Sequence, residues 1–210
     1  MRKPIITLDG PAAAGKSTAA RLVAKQLGYR FLDTGAMYRA VTWKAQRLGL
    51  TDPVRIAAMI RDTRLTIDPD RVTCDGDDVT AAIRDPKVTS AVRPIAESAE
   101  CRTELVRMQR EIGKAGGLVT EGRDQGSVVF PDAEFKFYLD ATVDVRSKRR
   151  HLEQGGDLAS IRGAIERRDA EDRVRPVSPL VRPDGAVFLD TSSLTLEEVV
   201  ARILAAIGPL

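Results

Sequence analysis

The chain has 210 residues, 43% of them hydrophobic and 30% charged, and a formal net charge of +3. That bounds it to one globular domain with room for a small insertion, and the mild charge with 4% aromatics argues against a nucleic-acid platform. Cys74 and Cys101 are too few and too far apart for a metal framework and read as free thiols of a reducing, cytoplasmic setting. No apolar run approaches a membrane span, so no membrane contact is expected. The chain enters a core strand at once, and no secretory leader is expected. Arginine outnumbers lysine and asparagine is absent, from base-composition bias or heat adaptation.

The first predicted element is a short buried strand, Pro4-Ile5-Ile6-Thr7-Leu8-Asp9. It runs into Gly10-Pro11-Ala12-Ala13-Ala14-Gly15-Lys16-Ser17, which fits the phosphate-binding pattern G-x-x-x-x-G-K-[ST]. Leu22, Val23 and Leu27 follow at helical spacing. Glycines allow backbone torsions that turn several amides inward, and the helix start adds positive potential. In such a loop Lys16 reaches the β- and γ-phosphates and the Ser17 hydroxyl ligates Mg²⁺.

A second strand, 29–32, leads to a turn at Asp33-Thr34-Gly35. A helix then starts near Ala36 and stops by Gly49. Thr51-Asp52-Pro53 opens another, with Pro53 near its first position. Residues 65–80 alternate strand and turn segments and predict a small antiparallel insertion. One long helix is expected over about 93–115, ending at Gly116-Gly117. Arg102 lies there in register with Leu105, Val106, Gln109 and Ile112. It is either an exposed arginine whose stem covers the core or a charge facing a cleft.

The third strand, Leu118-Val119-Thr120-Glu121, is followed by Gly122-Arg123-Asp124, and the fourth is 135–139. Residues 143–175 are helical, rich in arginine, and broken at Gly155-Gly156. Arg146, Arg149 and Arg150 form a basic run there: a solvated helix face, or the arginines of a mobile lid. Beyond the break, Leu158, Ile161 and Ile165 mark an inward stripe that continues as Arg168, Asp172 and Arg175. That stripe fits a cleft or a structural ion-pair network. The fifth strand is 186–189, and a capping box, Thr195 with Glu198, starts the last helix.

Five short strands alternating with helices predict an α/β, three-layer phosphate-loop fold with a five-stranded parallel sheet, a small antiparallel β insertion and a helical lid. It reads as a single domain over 1–210, the insertion near 62–95 and the lid near 150–175. In open parallel sheets ligands bind beyond the strands' carboxyl ends. Thr34, Arg123, Asp124 and the phosphate loop all fall at that edge, and Arg39 follows the second strand by one helical turn. From residues alone, several small-molecule kinases fit, acting on UMP, AMP, a sugar or a shikimate-like acid. A GTPase-like switch is disfavoured because the Asn-Lys-x-Asp guanine motif is impossible without asparagine.

Four segments narrow this: Asp9 to Ser17, Asp33-Thr-Gly-Ala-Met-Tyr-Arg39, Glu121-Gly-Arg-Asp-Gln-Gly-Ser-Val-Val-Phe-Pro-Asp132, and Arg168-Asp-Ala-Glu-Asp-Arg-Val-Arg175. On these the chain resembles the bacterial cytidylate kinases, nucleoside monophosphate kinases, over nearly its whole length. The resemblance implies transfer of the γ-phosphoryl group of ATP, with Mg²⁺, to CMP or dCMP in pyrimidine metabolism, by a protein expected to be a monomer. It implies Gly10 to Ser17, Thr18 and Arg149 as ATP contacts, and Lys16, Arg123 and Arg168 as catalytic. Thr34, Arg39 and Arg123 are implied at the CMP phosphate, Arg102 and Asp124 at cytosine, and Asp172 and Arg175 at the ribose and lid. One position departs: Arg93 stands where the family often carries a small hydroxyl residue, with Ser90 nearby.

Overall fold

A computed structural model describes residues 3–209. Eight strands occur among them: β1 (Ile5–Asp9), β2 (Arg30–Asp33), β3 (Leu65–Ile67), β4 (Val72–Cys74), β5 (Asp77–Asp78), β6 (Leu118–Gly122), β7 (Phe135–Asp140) and β8 (Val187–Asp190). The α-helices are α1 (Lys16–Leu27), α2 (Thr34–Arg47), α3 (Pro53–Arg61), α4 (Pro86–Ser90), α5 (Val92–Glu97), α6 (Ala99–Gly113), α7 (Val143–Gln154), α8 (Leu158–Val174) and α9 (Leu196–Ile207). The chain divides into two compact units, one of residues 1–30 with 116–210 and the other of residues 31–115.

The first unit is built on a parallel sheet of order β2-β6-β1-β7-β8. β1 is central and every one of its residues is buried, as expected of a strand covered on both faces. β2 enters the sheet at Arg30, whose amide donates to Gly117 O at 2.9 Å. α9 starts at the expected capping box and buries Val199, Val200, Ile203 and Ile207.

In the second unit, Ala36, Ala40, Val72, Cys74, Val79 and Ile83 form one core, with Trp43, Leu65 and Ile67 packed on it. β3, β4 and β5 make the expected antiparallel sheet. The expected insertion near 62–95 lies inside this unit. Two boundaries differ from expectation. α2 starts at Thr34, not near Ala36, because the Asp33 carboxylate accepts the Ala36 amide at 2.8 Å and caps the helix. The single helix expected over 93–115 is two: Ser98 takes extended torsions and its hydroxyl accepts the Cys101 amide at 3.1 Å, ending α5 and capping α6. A 3₁₀ turn, Ala82–Arg84, and α4 fill the segment before it.

Candidate active site

The phosphate loop lies between β1 and α1. Gly10 has φ +144°, and a Cβ there would meet Leu139 O at 1.9 Å, so β7 leaves no room for a side chain. Gly15 has φ +86° and precedes α1, which no side chain caps; such a helix start is an anion site. Lys16 curls back over the loop and donates to Pro11 O at 2.7 Å. The Ser17 hydroxyl donates to Glu121 Oε1 at 2.9 Å, and Lys16 Nζ lies 4.0 Å from Glu121 Oε2. Thr18 is exposed on the same first turn.

Asp9, at the end of β1, is fully buried. Its Oδ1 accepts the Gln125 amide and its Oδ2 the Gly126 amide, each at 2.7 Å. Burial pushes its carboxyl up to about 7, against the lowering pull of those two amides. The clasp fixes the segment after β6 as one π turn, Gln125–Val129, directly beyond Arg123 and the buried Asp124.

Arg123 Nε donates to Asp172 Oδ2 at 2.8 Å. Arg175 Nη1 is 3.9 Å from Asp172 Oδ1, and Arg175 Nε donates to Ser178 O. Burial raises the Asp172 carboxyl, but Arg123, Arg168 and Arg175 together hold it below the usual carboxylate range. Burial and the repulsion of Arg123 and Arg168 lower Lys16 to about 7, despite Glu121 and Asp9. Arg123 and Arg168 thus lie near enough to Lys16 to repel its charge, and such a grouping of cations at the loop suits a polyphosphate.

The basic run of α7 divides. Arg149 donates to Thr191 Oγ1 at 3.0 Å and to Thr191 O at 2.6 Å, and its Nη1 would lie 3.9 Å from a Cβ on Gly15. That places it beside the loop. Arg150 pairs with Glu153 at 3.4 Å. Arg146 contradicts both a solvated face and a mobile lid: it is 2% exposed and donates to Ala12 O and Ala141 O. The inward stripe of α8 is also shifted by one residue. Ile161, Ile165 and Asp169 are buried, whereas Leu158 and Arg168 are exposed.

In the second unit, Thr34 is buried at the start of α2. Arg39 Nη2 lies 3.4 Å from Asp33 Oδ2, folded back over that helix start. Arg102 is 3% exposed, which removes the reading as a surface arginine. Its Nη1 donates to Tyr38 OH at 2.9 Å. Arg93 pairs with Glu97 one turn on, at 2.8 Å.

Sequence reasoning gave no role to Asp9, Tyr38, Glu121, Gln125, Asp169 or Thr191. Glu121 ends the third predicted strand, and an acid there was a usable signal. Asp169 needed the i+4 phase, 161–165–169, in place of the i+3 step taken.

A glycine loop joining a central parallel strand to an uncapped helix, faced by a buried lysine and convergent arginines, defines a phosphate-loop phosphotransferase. Solved structures agree on the fold: shikimate kinase from Bacteroides thetaiotaomicron matches with a TM-score of 0.51 at 15% identity, over 97% of this chain and 98% of that one. A sequence model of the family described as cytidylate kinase matches residues 6–208. Cytidylate kinase from Desulfitobacterium hafniense is 47% identical over 95% of this chain and 90% of its own length. That from Caldanaerobacter subterraneus is 44% identical over 96% and 93%. The chain belongs to the cytidylate kinase family.

Proposed function

We propose that this chain transfers the γ-phosphoryl group of ATP to CMP or dCMP, giving ADP and CDP or dCDP, as a cytoplasmic monomer serving pyrimidine metabolism. The supporting observation is the convergence of Lys16, Arg123 and Arg168 beside the phosphate loop, with Asp172 as the carboxylate partner of Arg123. The acceptor is a phosphate oxygen, ionised at neutral pH, and needs no general base. The task is to bring two anions together and stabilise charge on the moving phosphoryl group.

Residues 10–15 and the first turn of α1, through Thr18, cradle the ATP phosphates, with Arg149 beside Gly15. Lys16 stabilises charge between the β- and γ-phosphates. Arg123 and Arg168 hold the transferring group, and bidentate guanidinium contacts suit its oxygens. Thr34, Arg39 and Arg123 hold the CMP phosphate, Arg102 and Asp124 read the base, and Asp172 and Arg175 take the ribose. Ser17 and Glu121 present hard oxygen donors 2.9 Å apart and fit Mg²⁺. When bound, that ion neutralises the phosphate oxygens. A lid near 150–175 closes over the site and excludes water, which otherwise competes as acceptor.

The test is ADP release from ATP·Mg²⁺ with CMP, dCMP, UMP, AMP, GMP and shikimate offered in turn. Turnover confined to CMP and dCMP is expected. Preference for another acceptor discards the cytosine assignment. ATP hydrolysis indifferent to every acceptor discards the monophosphate-kinase reading.

A further inference from the structure

We propose that Arg146 is a positioning residue: it sets the phosphate loop in its ligand-binding shape, using Asp169 on α8 as its anchor. The inference rests on the reading of the loop as the ATP site. The Arg146 guanidinium gathers groups from three places in the first unit. Its Nε donates to Ala141 O at 2.9 Å and its Nη1 to Ala12 O at 3.2 Å, and Nη1 forms an ion pair with Asp169 Oδ2 at 2.6 Å. Arginine and aspartate are 2% and 3% exposed.

Amides can point into a phosphate loop only if the adjoining carbonyls point out and are satisfied there. Three carbonyls of the loop have a side-chain donor each. Pro11 O takes Lys16, Ala12 O takes Arg146, and Ala14 O lies 3.2 Å from the Thr191 hydroxyl, itself held by Arg149. Between the last two carbonyls sits Ala13, with φ +59°. A residue with a Cβ holds that left-handed conformation only where its surroundings impose it. Arg146 grips the Ala12–Ala13 peptide directly before it and Thr191 the Ala14–Gly15 peptide one residue beyond, and together they supply that constraint.

The anchor is specific. Asp169 Oδ1 is buried and takes no hydrogen bond among the described residues, and its other oxygen is held in the ion pair with Arg146. The pair also explains why the buried stripe of α8 carries a charge after Ile161 and Ile165. A guanidinium is required because one ammonium nitrogen cannot span Ala12 O, Ala141 O and Asp169 together.

The test uses Arg146→Lys, which keeps the charge opposite Asp169, and the double variant Arg146→Met with Asp169→Leu, which removes both charges and leaves none buried alone. Affinity for Mg²⁺·AMP-PNP is measured by calorimetry, KM for ATP and for CMP by coupled assay, and folding by thermal melting. Both variants are expected to bind the analogue about 10-fold or more weakly, the scale of a charge-assisted hydrogen bond. KM for ATP rises with it, and KM for CMP stays near that of the parent. Parent-like analogue affinity in either folded variant overturns the proposal. So does a parallel rise in both KM values, which marks general damage. If the double variant does not fold, Arg146→Lys decides alone. Failure of the CMP reading is distinguishable, because it appears in the parent as absent CMP turnover while analogue binding still reports on Arg146.

Discussion

The two compact units bury charge in opposite ways. The first holds Asp9, Lys16, Glu121, Asp124, Arg146, Asp169 and Arg175 in its interior, all at 9% exposure or less. The second, among its described residues, buries only Arg102 and Glu104 to that degree. Glu104 is clamped by Arg61 at 2.8 Å and Arg107 at 3.0 Å, arginines whose side chains remain 65% and 49% exposed. A fold seeking stability alone has little use for interior charge, since desolvation offsets most of the Coulombic gain. The second unit therefore shows what this sequence does for stability, an apolar core with surface pairs. The first fixes its interior charges with backbone groups, such as the amides on Asp9 and the carbonyls on Arg146, and under the proposed function those charges serve a ligand.

The hardest way to break this contrast is Arg123→Ala. It removes one of the two arginines whose charge acts on Lys16 and leaves Asp172 without its 2.8 Å partner. Turnover is expected to fall about 1000-fold, the scale of a lost transition-state phosphate contact, with a raised KM for CMP. Near-normal turnover in steady-state kinetics contradicts the role given to Arg123. If the arginines of the first unit serve stability instead, melting temperature drops while kcat holds.

A second test uses the proton. Lys16 is pulled down to about 7 by burial and by two arginines, so above that pH the ligand-free side chain is increasingly neutral. Phosphates beside it supply opposite charge and raise its pKa again. Binding of ATP·Mg²⁺ at about pH 8 is therefore expected to take up a fraction of a proton, and at about pH 6 nearly none. Calorimetry in two buffers of different ionisation enthalpy reads the uptake directly. Identical enthalpies in both at the higher pH, or an unchanged difference in Lys16→Met, would count against this account.

What the sequence made legible follows the same division. The sheet, the phosphate loop, the three-stranded insertion and the break at Gly155-Gly156 all carry local signals: apolar runs, glycine spacing, turn residues. The break at Ser98 did not, because apolar spacing runs through it and one hydroxyl on the Cys101 amide ends the helix. The π turn at 125–129 is imposed by Asp9, more than a hundred residues away in sequence, and no local pattern encodes it. Arg146, Arg149 and Arg150 look alike in sequence, yet only the first is buried. A one-residue error in helical phase hid Asp169 behind Arg168. Function was legible further than geometry, since the family segments name the chemistry without saying which arginine is a ligand contact and which a strut.

The smallest effect is expected where the second unit uses its ordinary means. Lys44 Nζ sits 2.5 Å from Asp75 Oδ2 and donates to Thr63 Oγ1 at 2.8 Å, tying α2 to the segment that starts β3 and to the turn after β4. Burial raises the Asp75 carboxyl, but Lys44 and the Arg64 amide together bring it below its ordinary value. A depressed carboxylate stabilises the fold above its unfolded value of 3.8 and loses that contribution as pH falls through its folded value. Asp75 is 41% exposed, so solvent screens the pair. Lys44→Ala is expected to cost at most about 1 kcal/mol at neutral pH, and less at about pH 3, by urea denaturation of parent and variant. A loss of several kcal/mol that persists in acid would mean that this pair behaves as the interior charges of the first unit do. The contrast between a unit that hides charge for a ligand and one that spends it at the surface would then fail.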